Sequence, residues 1–284
     1  MKTILVPTDF SEQANNALHL ATQIARKSDA KVLVINVIEG IRDFSFNTMG
    51  ESESVIGEDV FLVKKLIERV NERMADLVAD NMFDGIEVGT QVDIGNPYES
   101  ISRVIADHAA DLLVMGTVGT SGLEEVLIGS NTEKVVRHAK CPVITVKSKV
   151  ELTDIQNIVL ATNLDEDQSK LIENLKDMQA LTGATLNLVK VNTPNHFHTQ
   201  RQMEQEFQDY IKKHELNNTN TSIYNEVTEE DGILYFAEDL GACMIAIGTH
   251  GRTGILHLLS GSIAEDLVNH ADKPVWTFSM KHNK

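Results

Sequence analysis

The sequence carries one glycine-rich pattern twice, as GTVGTSGLEEVLIGSNTEKVV at residues 116–136 and as GTHGRTGILHLLSGSIAEDLV at residues 248–268. In both copies Gly-x-x-Gly is followed by nine residues and then by Gly-Ser, which opens a helical pattern. One glycine pair is typical of a turn, and one Gly-Ser is typical of a helix start. Two copies with the same internal spacing indicate a duplicated unit.

The duplication extends to the start of each half. TILVPTDFSEQANNAL at 3–18 matches NIVLATNLDEDQSKLI at 157–172, and the same shift of 154 residues superposes AKVLVINV at 30–37 on ATLNLVKV at 184–191. The glycine patterns lie only 132 residues apart, so the second copy lacks 22 residues. The polar stretch at 39–60 is expected to be the excess, as a loop.

Short apolar runs alternate with helical patterns along each half. Such alternation predicts right-handed crossover connections and a parallel sheet covered on both faces. We therefore predict an α/β fold of two tandem five-stranded doubly wound domains, at 1–148 and 155–284, with a linker at about 149–154 inside the charged stretch KSKVELTDIQ (147–156). Helices are predicted in the first half at 11–28, 58–82, 97–109 and 130–139.

Composition limits the partners of this chain. Its 284 residues suit two domains, and its formal net charge of −17 argues against nucleic acid or an anionic membrane surface. The first apolar run has only three residues before Pro7, which predicts neither a secretion signal nor an anchor, so a cytoplasmic protein is expected. Cys141 and Cys243 lie in apolar stretches and are expected to be core residues in a reducing compartment.

A ligand site is predicted beyond the carboxyl ends of the strands, where ligands bind in open parallel sheets. Asp9 follows the first predicted strand, Val37 ends the second and Gly116 follows the fourth. Glycines at 116 and 119 let the backbone approach a ligand, and Gly-Ser at 129–130 opens a helix whose amides favour an anion. These segments together predict a phosphate cradle made of backbone.

Each element of this site has a purely structural alternative. SNTE (130–133) and SIAE (262–265) match the Ser-x-x-Glu capping box, which needs no ligand but leaves the upstream glycines unexplained. Asp9 either caps the first helix or accepts a hydrogen bond from a ribose hydroxyl or an adenine amino group. The residues alone leave both alternatives open.

Other signatures of nucleotide or acyl chemistry are missing. The sequence contains no Gly-x-x-x-x-Gly-Lys-Ser/Thr, no Gly-x-Gly-x-x-Gly after the first strand and no Gly-x-Ser-x-Gly. His196 and His198 form a two-histidine loop without a third ligand, which favours solvated surface over a metal site. We therefore predict no catalytic residue and no metal ligand.

The glycine pattern on a five-stranded α/β domain resembles the universal stress protein family, and the duplication resembles its tandem form. The resemblance includes ILVPTDFSE (4–12), HAKCPVITV (138–146) and HADKPVWTF (270–278). It implies the adenine nucleotide alpha-hydrolase-like fold and a stress-response regulator that binds ATP or AMP, with or without Mg²⁺, without turning it over. The positions that it implicates in the first half are Pro7, Thr8, Asp9, Val37, Met115, Gly116, Gly119, Gly129, Ser130, Asn131 and Thr132.

The second half departs from this pattern. Asn163 replaces the aspartate and Ala161 replaces the proline, whereas the loop gains His250 and Arg252. The first-half loop carries Glu124 and Glu125, so phosphate would prefer the second loop and the nucleoside the first site. We rank the first site higher because the aspartate is the more specific element. The matching positions are Ala161, Thr162, Asn163, Val191, Ile247, Gly248, Gly251, Gly261, Ser262, Ile263 and Ala264.

Two other functions stay open at this point: a slow ATP hydrolase or nucleotide transferase on the same fold, and an interaction protein with relic nucleotide sites. The resemblance also implies an assembly. The last strands of the halves, at 142–147 and 274–279, are expected to pair as an intramolecular pseudo-dimer with Trp276 at the seam, and a homodimer of whole chains remains open.

Overall fold

The structure, a computed structural model, describes residues 1–39, 53–117, 128–164, 168–249 and 260–280, without the side chains of 53–60 and 260–262. The elements of the first half are β1 (Thr3–Pro7), α1 (Glu12–Ser28), β2 (Lys31–Ile38), α2 (Glu53–Val78), β3 (Val88–Ile94), α3 (Pro97–His108), β4 (Leu112–Gly116), α4 (Ser130–His138) and β5 (Val143–Val146). Those of the second are β6 (Asn157–Ala161), α5 (Ser169–Thr182), β7 (Thr185–Asn192), α6 (Gln200–His214), β8 (Thr219–Asn225), α7 (Glu229–Asp239), β9 (Met244–Thr249), α8 (Ser260–His270) and β10 (Val275–Ser279).

One continuous sheet of ten strands runs through both halves, in the order β3-β2-β1-β4-β5-β10-β9-β6-β7-β8. Within each half the neighbouring strands are parallel, and buried side chains cover both faces of the sheet. The predicted α/β fold with five parallel strands in each half is confirmed. Strand order reverses between β1 and β4, which is where ligands bind in such sheets.

The two halves join through β5 and β10, which are antiparallel. Ile144 pairs with Trp276, its counterpart in the repeat, so the register is symmetric about this pair. The Thr145 hydroxyl donates to the Val275 carbonyl at 3.3 Å, and Thr277, the counterpart of Thr145, donates back to β5 at 3.4 Å. Trp276 is 1% exposed, as expected for a seam between two sheets.

The segment between the halves packs against the protein. Leu152–Asp154 forms one 3₁₀ turn, and Leu152 and Ile155 belong to the hydrophobic core. The backbone amide of Leu152 donates to the side-chain carbonyl of Gln23 on α1 at 2.9 Å. Two apolar side chains thus pack the segment between the halves against the core, although its sequence is charged and lacks periodicity.

The length difference between the halves lies partly in a helix. We predicted a loop at 39–60 and a helix at 58–82, but α2 begins at Glu53 and ends at Val78. α2 has 26 residues, whereas its counterpart α6 has 15. The loop prediction was wrong from residue 53 onward because serine and glutamate, read there as loop residues, also favour a helix start. Residues 40–52 lie outside the description.

The two cysteines differ in burial. Cys141 is buried and belongs to the core, and burial followed by the Asp111 charge raises the pKa of its thiol to about 12. Cys243 is only partly buried, although it packs against the core, so the core prediction holds fully for Cys141 alone. Among the described residues, no helix has the length and apolar character that crossing a bilayer requires.

Candidate functional site

The turn after β1 is held by β2. Thr8, which is buried, donates its amide to the Ile35 carbonyl at 2.8 Å and accepts a 2.8 Å hydrogen bond on its own carbonyl from the Asn36 side chain. Asn36 was not among the predicted site residues. Its signal in the sequence is a single amide in the otherwise apolar stretch VLVINVI (32–38).

Asp9 closes the turn without capping α1. Its Oδ1 accepts the Ser11 amide at 2.9 Å, and Ser11 is itself the N-cap, since its hydroxyl accepts the Ala14 amide. The alternative in which Asp9 caps the helix is therefore wrong. Phe10 between them has φ 64°, and Leu164 at the matching position has φ 68°, so this turn geometry is common to both halves. Asp9 is partly exposed at the carboxyl edge of the sheet.

Gly116 lies against α1. A Cβ atom at this position would come within 2.8 Å of both the carbonyl carbon and the Cβ of Gln13. The missing side chain therefore lets α1 approach β4, and the described structure explains this glycine without a ligand. Met115 before it is buried, and Gly119 lies outside the described residues.

Gly129 has a different environment. A Cβ atom there would meet the Thr117 carbonyl oxygen at 3.8 Å and the Thr132 hydroxyl at 3.9 Å, which are ordinary contacts. Its own amide donates to the Thr117 carbonyl at 3.0 Å, and it precedes α4 without a side-chain cap. No described atom thus requires glycine at 129, and the first amides of α4 receive no capping side chain from this residue.

The capping-box prediction is wrong in both halves. Ser130 is the first helical residue of α4 rather than its N-cap, and Gly129 holds the N-cap position. In the second half α8 begins at Ser260, two residues before Ser262. Ser-x-x-Glu fits the first turn of a helix as well as its cap, because serine and glutamate are both tolerated there.

The predicted segments meet at one edge of the sheet. The Thr132 hydroxyl donates to the Gly116 carbonyl at 3.3 Å, which joins α4 to the end of β4. The Asn131 side chain donates to the Glu39 carboxylate at 3.4 Å, which joins α4 to the chain after β2. Of the other predicted residues, Pro7 and Val37 are partly buried, and Ser130 is exposed. The first half thus brings the ends of β1, β2 and β4 to the start of α4.

The equivalent turn of the second half carries extra contacts. The Thr162 amide donates to the Val189 carbonyl at 3.1 Å, as Thr8 does in the first half. The Thr162 hydroxyl, however, donates to the side-chain oxygen of Gln168 at 2.9 Å, and the Tyr210 hydroxyl donates to the same oxygen at 2.5 Å. Gln168 is buried where the first half has Ala14, and burial raises the pKa of Tyr210. A closed polar network occupies this position.

Charge also differs between the two turns. Lys190 takes the place of Asn36 and forms a 2.7 Å ion pair with Glu206 of α6 while its side chain is 8% exposed. Asn163 is exposed, and a Cβ atom at Gly248 would lie 2.9 Å from Leu171. The remaining described positions are Ala161, Ile247, Ile263 and Ala264, all buried, and Val191, partly buried.

Several predicted positions fall outside the description. The structure gives nothing on Gly251, and it describes Gly261 and Ser262 only as positions in α8. The charge comparison between the two glycine loops lies outside it too, since it depends on Glu124, Glu125, His250 and Arg252.

The two histidines of the second half face different glutamates. The Nδ1 atom of His198 lies 3.8 Å from the Glu206 carboxylate, and that of His196 lies 4.0 Å from the Glu229 carboxylate. Within the described ranges, no group of three or more His, Cys, Asp or Glu side chains has an arrangement that could hold a metal ion.

Comparison with known proteins gives consistent matches. The model of the universal stress protein family matches residues 1–147 and again residues 154–279. A universal stress protein of Methanocaldococcus jannaschii is 31% identical over 155 residues, which cover 52% of this chain and 96% of that protein. In the crystal structure of a universal stress protein from Archaeoglobus fulgidus, 98% of each chain is covered with a TM-score of 0.67 at 19% identity. A functionally unknown protein from Pseudomonas aeruginosa gives a TM-score of 0.62 at 17% identity, covering 98% of this chain and 92% of its own. At these identities the two solved structures support the fold alone.

Proposed function

The chain belongs to the universal stress protein family, with two of its domains in tandem, and we propose that this stress-response protein binds an adenine nucleotide at the carboxyl edge of its first half. ATP or AMP is the proposed ligand, with or without Mg²⁺. The nucleotide would act as a signal of energy state and would not be consumed.

The observation that carries the proposal is the entry to α4. Gly129 stands before the helix, has no steric reason among the described atoms to be glycine, and offers no cap to the amides that follow. Helix N-termini with uncapped amides bind phosphate because the amide hydrogens and the helix dipole both favour an anion. A phosphate group would fill the space that a side chain at 129 would otherwise enter.

The nucleoside end of the proposed site is the turn after β1. The partly exposed carboxylate of Asp9 is an acceptor suited to a ribose hydroxyl, and it is fixed by the Ser11 amide. Val37 supplies apolar surface at the end of β2, where an adenine ring would lie. The contacts of Thr8 with β2 keep this turn in place before a ligand arrives, which lowers the entropic cost of binding.

We propose that the second half binds nucleotide more weakly or not at all. The Gln168–Tyr210 network engages the hydroxyl of Thr162, and Lys190 with Glu206 replaces a neutral amide by an ion pair. Asn163 lacks the charge of Asp9. These differences alter the nucleoside end of the second site, whatever its glycine loop contributes.

Binding without turnover is favoured over hydrolysis by the nature of the proposed cradle. Backbone amides can hold an anion but supply no strong base to activate water. A slow ATP hydrolase or a nucleotide transferase is the alternative function, and an interaction protein with relic sites is the third. Action in the cytoplasm stays a prediction.

The simplest test is chemical. Purified full-length protein is denatured with acid, and the released nucleotide is identified and counted by ion-exchange chromatography. We expect ATP or AMP in up to one equivalent per chain, and the same ligand should rebind to protein stripped of nucleotide. ADP that accumulates with time from added ATP would support the hydrolase instead. Absence of nucleotide together with absence of binding would leave the interaction protein.

For assembly, we propose that β5 and β10 pair the halves as an intramolecular pseudo-dimer. The symmetric register about Ile144 and Trp276 supports it, because equivalent residues of the two halves face each other. Such a contact has the high effective concentration of a short linker. Sedimentation equilibrium of the whole chain decides whether a homodimer forms in addition.

A further inference from the structure

We propose that Asn269, which lies in the second half, positions the backbone of Ile128 and Gly129 where the first half enters α4, so that nucleotide binding at the first site depends on the docked second half. The inference rests on the proposed function and adds a positioning residue and a route of regulation to it. It follows from one hydrogen bond between the halves, from the contacts that hold Asn269 in place, and from the residue at the symmetric position, which has no acceptor for such a bond.

The hydrogen bond reaches the residue directly before Gly129. The Ile128 amide donates to Oδ1 of Asn269 on α8 at 2.7 Å, across 141 residues of sequence. The next amide, that of Gly129, donates to the Thr117 carbonyl at 3.0 Å. The chain that enters α4 is therefore fixed on one side by its own half and on the other by the second half.

Asn269 is held from its backbone as well. Lys147, just beyond β5, donates its ammonium group to the Asn269 carbonyl at 2.5 Å. The pKa of Lys147 is lowered because partial burial outweighs the opposite effect of the nearby Asp272 charge. Asn269 thus has both its carbonyl and its side chain bound to the first half, at Lys147 and at the Ile128 amide, so its position depends on the docking of the halves.

The repeat shows that this contact is one-sided. The counterpart of Asn269 is Arg137, and the counterpart of Lys147 is Ser279. The Ser279 hydroxyl donates to the Arg137 carbonyl at 3.2 Å, so the backbone contact of Asn269 has a symmetric equivalent. The guanidinium of Arg137 has five donors and no acceptor, so it cannot accept a backbone amide. It pairs instead with Glu265 of α8 and with Glu133 of α4. The second half therefore anchors Ile128 at the entry to α4, and Arg137 cannot return the contact to the second half.

The expected effect is specific to the phosphate end of the ligand. Without the acceptor at 269, the partly buried Ile128 amide loses its partner, and the backbone before α4 gains freedom that a bound phosphate must then restrict. A nucleoside that ends at the ribose does not use these amides. Loss of Asn269 should therefore weaken ATP and spare adenosine.

The test compares three full-length variants with the wild type. Asn269→Ala removes the acceptor, Asn269→Asp keeps an acceptor of the same shape, and Arg137→Ala breaks an interface ion pair without touching Ile128. Affinities for ATP and for adenosine are measured by calorimetry and competition, and amide hydrogen exchange is followed in the peptide that contains residues 128–132. We expect Asn269→Ala to weaken ATP about tenfold, to leave adenosine within about twofold and to speed exchange at Ile128.

The controls fix the interpretation. Asn269→Asp should restore protection of the Ile128 amide, and Arg137→Ala should leave the ratio of the two affinities unchanged. Equal weakening of ATP and adenosine in Asn269→Ala, or unchanged exchange at Ile128, would overturn the positioning role. If the wild type binds ATP and Asn269→Ala binds it equally well, only this inference falls. If the wild type binds no adenine nucleotide, the proposed function falls and this inference with it.

Discussion

Gly116 and Gln13 lie in such close contact that a methyl group on the glycine would come within 2.8 Å of the Gln13 carbonyl carbon. The two residues join the end of β4 to the first turn of α1, and both ends of this contact are part of the edge where we propose the nucleotide binds. Gly116, the first glycine of the repeated pattern, is therefore required for packing, whereas no described atom would clash with a Cβ atom at Gly129. The two glycines should respond differently to substitution.

Gly116→Ala should destabilise the protein. A Cβ atom at 2.8 Å from backbone atoms forces α1 or β4 to shift, and overpacking of this kind costs about 1–3 kcal/mol. Gly129→Ala is the matched control, because its new Cβ makes only ordinary contacts, and the N-cap change costs about 1 kcal/mol or less. Urea unfolding followed by circular dichroism measures both. Equal stability of Gly116→Ala and wild type would contradict the packing role.

Asp9 should contribute to binding through its carboxylate and to the turn through one oxygen. Asp9→Asn keeps an acceptor for the Ser11 amide, so the turn should persist while the charge is lost. Asp9→Ala removes both, and the loss of a hydrogen bond to a charged group, about 1.5–3 kcal/mol, should weaken ATP by roughly tenfold to a hundredfold. Calorimetric titration of the two variants ranks them. Wild-type affinity in a folded Asp9→Ala protein would remove Asp9 from the site.

Asn163→Asp should leave the stoichiometry of nucleotide binding unchanged. If the lost charge of Asn163 were what handicaps the second site, its reversion to aspartate would create a second binding event, with Ala161 and the pair at 263–264 as the alternatives that the sequence offers. In the structure the buried Gln168 accepts hydrogen bonds from the Thr162 and Tyr210 hydroxyls, and Lys190 forms an ion pair. The reversion changes neither feature. Titration of stripped protein with ATP counts the sites. A second equivalent bound by Asn163→Asp would show that charge alone separates the halves.

Trp276 should report on the seam between β5 and β10. It is the only tryptophan of the sequence and is 1% exposed, so its native emission should be blue-shifted and shielded from iodide. Because both halves contribute to its surroundings, the red shift in urea should coincide with the loss of secondary structure. Red-shifted native emission, or a fluorescence transition well before the change in circular dichroism, would mean that the seam is open or separates early.

Much of the fold follows from local patterns that are strong in this sequence. The inner parallel strands are buried on both faces and therefore read as apolar runs, each with a second copy in the repeat, whereas the edge strands β3 and β8 are partly exposed and more polar. The start of α2 was missed because ESES (51–54) suits a loop and a helix start equally well. The capping box was misplaced by one residue in the first half and by more in the second, because a four-residue pattern does not fix the register of a helix end.

The candidate site was predictable as a place but not in its contacts. Strand order brings Asp9, Gly116 and Gly129 to one edge, and this follows from the topology. Position 116 requires glycine because α1 packs closely against it, and the spacing of residues in the sequence does not reveal this packing. The bond from Ile128 to Asn269 spans 141 residues and depends on the join between the halves. In the sequence, Asn269 stands out only when the two halves are aligned, which places it at the position of Arg137.

The measurement that tests the central claim most directly is the titration of ATP into stripped wild-type protein and into Gly129→Val, with thermal unfolding of both proteins to confirm that they are folded. The account predicts a first-half site filled by one ATP per chain in the wild type. It also predicts at least tenfold weaker binding in Gly129→Val, because the side chain would occupy the space before α4 that the phosphates need. Wild-type affinity in folded Gly129→Val would place the phosphates elsewhere, and a wild type that binds no ATP or AMP would contradict the account as a whole.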